Sequence, residues 1–208
     1  MCTSFRVTAT DGAVVVGRTM EFPNAMATKL SVLPRAYRGT GIGVRQPDRR
    51  SLQLALPGLA PDQLAELHQP LRNPAAITID GVELGAMGQG PGMNGLPGDS
   101  SSPSRFVRAA AFVASLRPVA TGEEMEETAL HILNNFDIPL GFIRDNDDPA
   151  NDDHTLWSSL ANLAQLRYIV RTYDNPVPQL IELGHVDFSA PGPREAALPH
   201  NAFAPLAV

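Results

Sequence analysis

From Ser4 onward the chain alternates polar and apolar residues, breaks at Asp11-Gly12, and resumes as the apolar run Ala13-Val14-Val15-Val16. Phe5 and Val7 alternate with Ser4, Arg6 and Thr8, which is the period of a half-buried strand. Asp-Gly is a tight-turn signal. The β-branched run after it suits a strand covered on both faces. A β-hairpin is therefore predicted at the start of the chain, and its register decides the chemistry. One residue of slip sends every side chain to the other face of a sheet. A two-residue turn at Asp11-Gly12 sets Cys2 opposite Glu21 and Phe5 opposite Arg18. A three-residue turn at Thr10-Asp11-Gly12 sets Cys2 opposite Met20 and Ser4 opposite Arg18. The residues alone permit both, and a bulge reconciles them. The expectation is a three-residue turn or a bulge, with Arg18 on the face of Cys2.

Cys2 is the one cysteine among 208 residues. A single cysteine makes no internal disulfide and no cysteine-cluster metal site, which fits a reducing, cytoplasmic home. The residue after Met1 is small, so removal of Met1 is expected to leave Cys2 as the mature N-terminus. A terminal cysteine carries a nucleophile and a base on one residue. A thiol ordinarily titrates near about 8.5 and an α-amine near roughly 7.7–8.0, so the amine accepts the thiol proton near neutral pH. Arg18 beside the sulfur favours the thiolate, and Glu21 is placed to hold and orient the ammonium. The plain alternative is a buried structural cysteine that happens to fall at position 2.

Charge and composition narrow the partners. The net charge is −6 and the isoelectric point about 5.3. Phosphate backbones repel such a surface, so nucleic acid is not an expected partner. No apolar run reaches the roughly 18 residues that span a bilayer, and with no basic segment followed by an apolar one at the start, no signal peptide is expected. A mass of 22.2 kDa suits one domain with a sizeable core. Its 17 glycines and 19 prolines predict many loops.

Further along, Gly88, Gly90, Gly92, Gly95 and Gly98 permit an irregular loop that leads into a helix at Ser102-Pro103. Phe106, Val107, Ala109 to Val113 and Leu116 make that helix apolar nearly all round, hence buried. Arg105 and Arg108 share one edge of it. Thr121 and Glu124 form a capping box, followed by the stripe Met125, Ala129, Ile132, Leu133 and Phe136. Trp157, Arg167–Tyr173 and Gln179–Leu183 read as a three-strand meander, with its last turn at Asp174-Asn175-Pro176. Pro-rich sequence from Ser189 onward suggests a loosely held tail. The acidic stretch 145–153 lacks the glycine and glutamate of a Ca²⁺ loop and is taken as solvated. His68, His131, His154, His185 and His200 show no helical zinc spacing. No metal and no cofactor is expected.

Two blocks, "MCTSFRV…GRTMEF" and "GQGPGMNGLPGDSSSPSRFVRAAAF", resemble the choloylglycine hydrolase family, which includes bile salt hydrolases and penicillin V acylases. "LNNFDIPLG" and "RYIVRTYDNP" resemble family segments as well. The resemblance implies an α+β fold, the N-terminal-nucleophile αββα sandwich, and a cysteine hydrolase of linear amide C–N bonds. It implies Cys2 as nucleophile and Arg18 as the thiolate-stabilising residue. Glu21 stands where the family usually carries Asp. The arginine of the Ser-Arg-Phe triplet, an active-site residue in the family, maps to Arg105. Bile amides, penicillin V and acylated homoserine lactones are all substrates within the family's range.

The resemblance covers roughly residues 1–44 and 68–195. Only about two dozen residues, around 45–67, stand where the family carries a long central segment. That segment holds two active-site asparagines, one of them part of the oxyanion hole. Asn94, in "GMNGL", lies in the later Gly-rich loop and does not take that role. Neither does Asn73. The expected organisation is one hydrolase-like domain over 1–195, incomplete, with a Pro-rich tail at 196–208. The second reading is an internally deleted, catalytically impaired homologue that retains at most acyl-ligand binding. Lost strands leave sheet edges exposed, and pairing with another copy, a homo-oligomer, is one way to cover them.

Overall fold

A computed structural model describes residues 2–23, 30–34, 77–79, 81–84, 96–144, 148, 152–196 and 198–199. It divides the chain into two compact units, Met1–Asp48 with Pro118–Val208, and Arg49–Arg117.

The first unit is built on a five-stranded antiparallel sheet in the order β1-β2-β6-β7-β8. Its strands are β1 (Ser4–Thr8), β2 (Val14–Pro23), β6 (Asp153–Asn162), β7 (Arg167–Thr172) and β8 (Asn175–Glu182). The opening hairpin takes the three-residue turn. Ser4 pairs with Arg18 and Val7 with Val15. The Ala9 and Ala13 backbones close the loop, with the Ala9 amide donating to the Ala13 carbonyl at 2.9 Å. Gly12 sits at φ 87°, a left-handed conformation that suits glycine at the end of such a turn. This register puts Phe5, Val7, Ala9, Ala13, Val15 and Gly17 on one face, all buried. Val14 and Val16 fall on the other face and are only half-buried. The second strand is therefore covered on one side rather than both.

Helix α2 (Gly122–Asn134) covers the buried face, packing across β1, β2 and β6. Its start follows the capping box: the Glu124 amide donates to Thr121 Oγ1 at 3.3 Å, and Glu124 Oε2 accepts from the Ala120 amide at 3.1 Å. Met125, Ala129, Ile132, Leu133 and the following Phe136 form the inward stripe, all buried. Glu126 is buried among them because it is satisfied. It accepts from Asn162 Nδ2 at 2.8 Å and from Arg167 Nε at 3.0 Å. The meander of β6, β7 and β8 is present, but its last turn lies at Tyr173-Asp174, and Asn175 and Pro176, expected in the turn, already belong to β8.

Strands β3 (Leu30–Val32) and β9 (Arg194–Ala196) pair with each other. The Pro-rich end is thus anchored where β9 forms, and Asn175 Nδ2 donates to the Pro199 carbonyl at 2.7 Å.

In the second unit, β4 (Ile77–Ile79) pairs with β5 (Val82–Leu84). Helix α1 (Ser102–Ala114) begins at the Ser-Pro step. Asp99 anchors its first turn by accepting from the Ser101 amide at 2.8 Å and the Ser104 hydroxyl at 2.5 Å. These bonds hold the Asp99 carboxyl down to about 2. Ser104, Arg105, Ala109 and Ala111 are buried, whereas Phe106 is exposed. The helix is therefore one-sided, unlike the all-round burial its composition suggests. Arg108 donates to the Pro97 and Asp99 carbonyls at 2.8 and 2.7 Å, which ties the helix to its entry loop.

Most of the acidic stretch 145–153, the Gly-rich loop up to residue 95, His68 and His200 lie outside the described residues. Among the described residues no group of side chains could hold a metal ion. No helix among them is long and apolar enough to cross a membrane.

Candidate functional site

Two hydrogen bonds carry the hairpin ladder past Ser4. The Thr19 amide donates to the Thr3 carbonyl at 2.9 Å, and the Thr3 amide donates to Thr19 Oγ1 at 3.1 Å. Thr3 and Thr19 are both buried. Cys2 is thereby the first residue beyond a pinned backbone, and strand alternation turns it to the face that α2 does not cover. It is exposed, which removes the alternative of a buried structural cysteine.

Arg18 shares that face. Its Nη2 donates to Cys2 Sγ at 3.7 Å. The Cys2 thiol donates in turn to Met20 Sδ at 3.4 Å. Cys2 opposite Met20 and Ser4 opposite Arg18 is the pattern of the three-residue turn.

Glu21 does not share that face. Glu21 is fully buried. It continues the odd-numbered series Val15, Gly17 and Thr19, so alternation assigns it to the covered face and not to that of the thiol. The ladder shifts register between Met20 and Glu21, where Met20 pairs with Trp157 and Glu21 with Thr155, leaving Leu156 as the extra residue. Arg105 is buried in α1 of the second unit.

One neighbour of the site escapes a reading of the sequence. The Trp157 ring lies beneath Arg18, its centroid 5.7 Å from Cζ. Trp157 is opposite Met20 and Ser159 opposite Arg18. Trp157 therefore sits diagonally from Arg18 on one face, within reach of a long side chain. Trp157 also lines a cavity of about 210 Å³ together with Asp137, Pro139, Thr172 and Tyr173. Cys2 is not in its wall. Arg171 Nη2 donates to Asp137 Oδ2 at 2.7 Å. Partial burial nevertheless pushes the Asp137 carboxyl up, against the pull of that guanidinium.

The family model for linear amide C–N hydrolases, the choloylglycine hydrolase family, matches residues 66–194. The chain belongs to this family. The matched residues include α1, α2 and β6 to β8, and Cys2 and Arg18 precede them. A bile salt hydrolase/transferase of Lactiplantibacillus plantarum is 34% identical over 104 residues, 50% of this chain and 32% of that protein. The segment shared with such curated relatives is thus about a third of their length. The conjugated bile acid hydrolase of Clostridium perfringens, solved as its C2A mutant, superposes with a TM-score of 0.67 at 14% identity, over 100% of both chains. Its R18L variant gives 0.55 at 24% identity, over 71% of this chain and 46% of that one. These likenesses show the fold. The chain is α+β, with the N-terminal-nucleophile hydrolase architecture. The described sheet with α2 on one face is part of that architecture.

Proposed function

We propose that this member of the linear amide C–N hydrolase family acts through Cys2 as an N-terminal nucleophile. The observation that carries the reading is the 3.7 Å contact from Arg18 Nη2 to Cys2 Sγ on an exposed sheet face. After removal of Met1, the α-amine of Cys2 takes the thiol proton, and the sulfur attacks the amide carbonyl. The same amine returns the proton to the departing amine as the tetrahedral intermediate collapses to an acyl-enzyme. Water then releases the acid. Arg18 holds negative charge on the sulfur between turnovers. The roles of Glu21, orienting the amine, and of Arg105, shaping the site, rest on the family resemblance alone. A relative studied as C2A and R18L variants is in keeping with the assignment of Cys2 and Arg18. A reducing compartment suits the free thiol. A strand edge paired with a second copy is the assembly we propose, and sedimentation measures it.

The family's oxyanion asparagine has no counterpart in this sequence, and this favours impaired turnover. Loss of one oxyanion donor typically costs roughly 10²–10³ in kcat, or about 2.7–4 kcal/mol. An activated ester demands less of such a donor than an amide does. Cys2 is therefore expected to be acylated by an activated ester, with weak or undetectable amide hydrolysis. The test is a titration of the processed protein with an activated ester and with bile amides, penicillin V and acylated homoserine lactones. Cys2→Ala serves as the blank, and intact mass reports the state of Met1. Retention of Met1 on most molecules would refute the nucleophile. Amide turnover of roughly 1–10³ s⁻¹ would show that another group supplies the oxyanion contact.

A further inference from the structure

We infer that Trp157 is a positioning residue for Arg18, holding the guanidinium over the ring so that its N–H groups face Cys2 Sγ. The inference rests on the assignment of Cys2 and Arg18 as a working pair and adds a third member to it.

Among the described residues, the Arg18 guanidinium meets the Cys2 sulfur and the Trp157 ring. None of the ion pairs among these residues includes it. A long, exposed arginine with nothing but a sulfur at 3.7 Å would spend much of its time in other rotamers. A carboxylate would fix it, but would also neutralise the charge that the thiolate needs. An aromatic face fixes it differently. The ring attracts the cation through its quadrupole and brings no countercharge. Orientation is supplied while the positive charge stays available to sulfur.

The backbone makes this arrangement reproducible. Arg18 and Met20 are two residues apart on β2, and Ser159 and Trp157 are their partners on β6. Trp157 comes directly after the extra residue Leu156, so the bulge sits next to the residue that meets Arg18. Trp157 is half-buried, with part of its surface in the wall of the 210 Å³ cavity. The ring is half-buried, and the guanidinium over it is exposed.

The experiment measures alkylation of Cys2 by iodoacetamide across pH, in the wild type and in Arg18→Ala, Trp157→Phe and Trp157→Leu. Alkylation reads the thiol directly and does not require that the protein hydrolyse any amide. Trp157→Leu is expected to slow alkylation about twofold to fivefold at neutral pH, the range of an exposed cation–π contact. Its pH profile should move to higher pH. Trp157→Phe, which keeps an aromatic face, should lie between leucine and the wild type. Arg18→Ala should slow the reaction at least as much as Trp157→Leu.

A wild-type rate in Trp157→Leu beside a slow Arg18→Ala overturns the role of Trp157 and leaves the Cys2–Arg18 pair standing. A wild-type rate in Arg18→Ala overturns the pair and the inference together. A second measurement avoids any variant of the ring. Trp157 is the one tryptophan in the sequence, so intrinsic fluorescence reports on it alone. Arg18→Ala, with far-UV circular dichroism unchanged, should alter the emission. Identical emission in both proteins overturns the contact.

Discussion

The two faces of the five-stranded sheet share one backbone and differ in almost everything else. On the face under α2, apolar side chains fill the space. Glu126, buried there, accepts from Asn162 and Arg167. On the other face, Cys2 meets Arg18 and Met20 of the neighbouring strand through two long, soft contacts. The covered face holds the strands in register, and that register determines which side chains meet on the open face. The open face depends on rigidity that it does not itself provide.

Substitutions can break or sharpen that contrast. The largest effect is expected from Leu133→Ala, deep under the sheet with 0% exposure. It should cost about 2–5 kcal/mol, seen as a lower denaturation midpoint. The folded fraction should still alkylate at the wild-type rate, and a slower thiol would show that the two faces are more tightly coupled than the geometry suggests. Gly17→Ala comes next. A Cβ there would stand 2.6 Å from the Phe5 ring, and displacing that ring should cost about 1–3 kcal/mol. Thermal melts that match the wild type would mean the ring moves aside freely. Thr121→Ala removes the α2 cap and should cost about 1 kcal/mol, again with no change in thiol reactivity. The smallest change in stability belongs to the open face. Arg18→Ala should shift unfolding by no more than about 0.5 kcal/mol, yet it should slow alkylation of Cys2. A large loss of stability would make Arg18 a structural residue.

Elements set by local chemistry were legible in the sequence. The capping box at Thr121 and the stripe from Met125 to Phe136 form as their patterns predict, and the three-strand meander forms with its last turn at Tyr173-Asp174. The register of the hairpin was half-legible. Phe5, Val7 and Ala9 declare the inner face of β1, but Val14 and Val16 are as apolar as Val15, so β2 declares neither. The close of the Thr10–Gly12 turn decides it. Contacts that join distant strands gave no local signal. The pairing of Trp157 with Met20 spans most of the chain and depends on a single extra residue at Leu156. The setting of Glu21 was not legible either. Its parity in β2 and its burial put it on the covered face, which its charge alone does not announce. Arg105 was reached through the family's triplet; in the sequence it resembles Arg108, and only the structure separates the buried Arg105 from the half-buried Arg108.

Strand β8 ends the sheet order, and it carries Pro176 and Pro178 two positions apart. Residues of the same parity aim their backbone groups at the same side of a strand, so two successive donors are missing from one side. Neither proline takes part in the paired register with β7, which runs through Asn175 and then Gln179 to Glu182. An extra strand laid along β8 would therefore meet gaps rather than a continuous ladder. This border resists runaway stacking into fibres. Any growth of the sheet by a second copy is steered instead to the opposite border, beside β1, where Ser4 to Thr8 contain no proline. A dimer formed there would bring the two Cys2-bearing strands side by side.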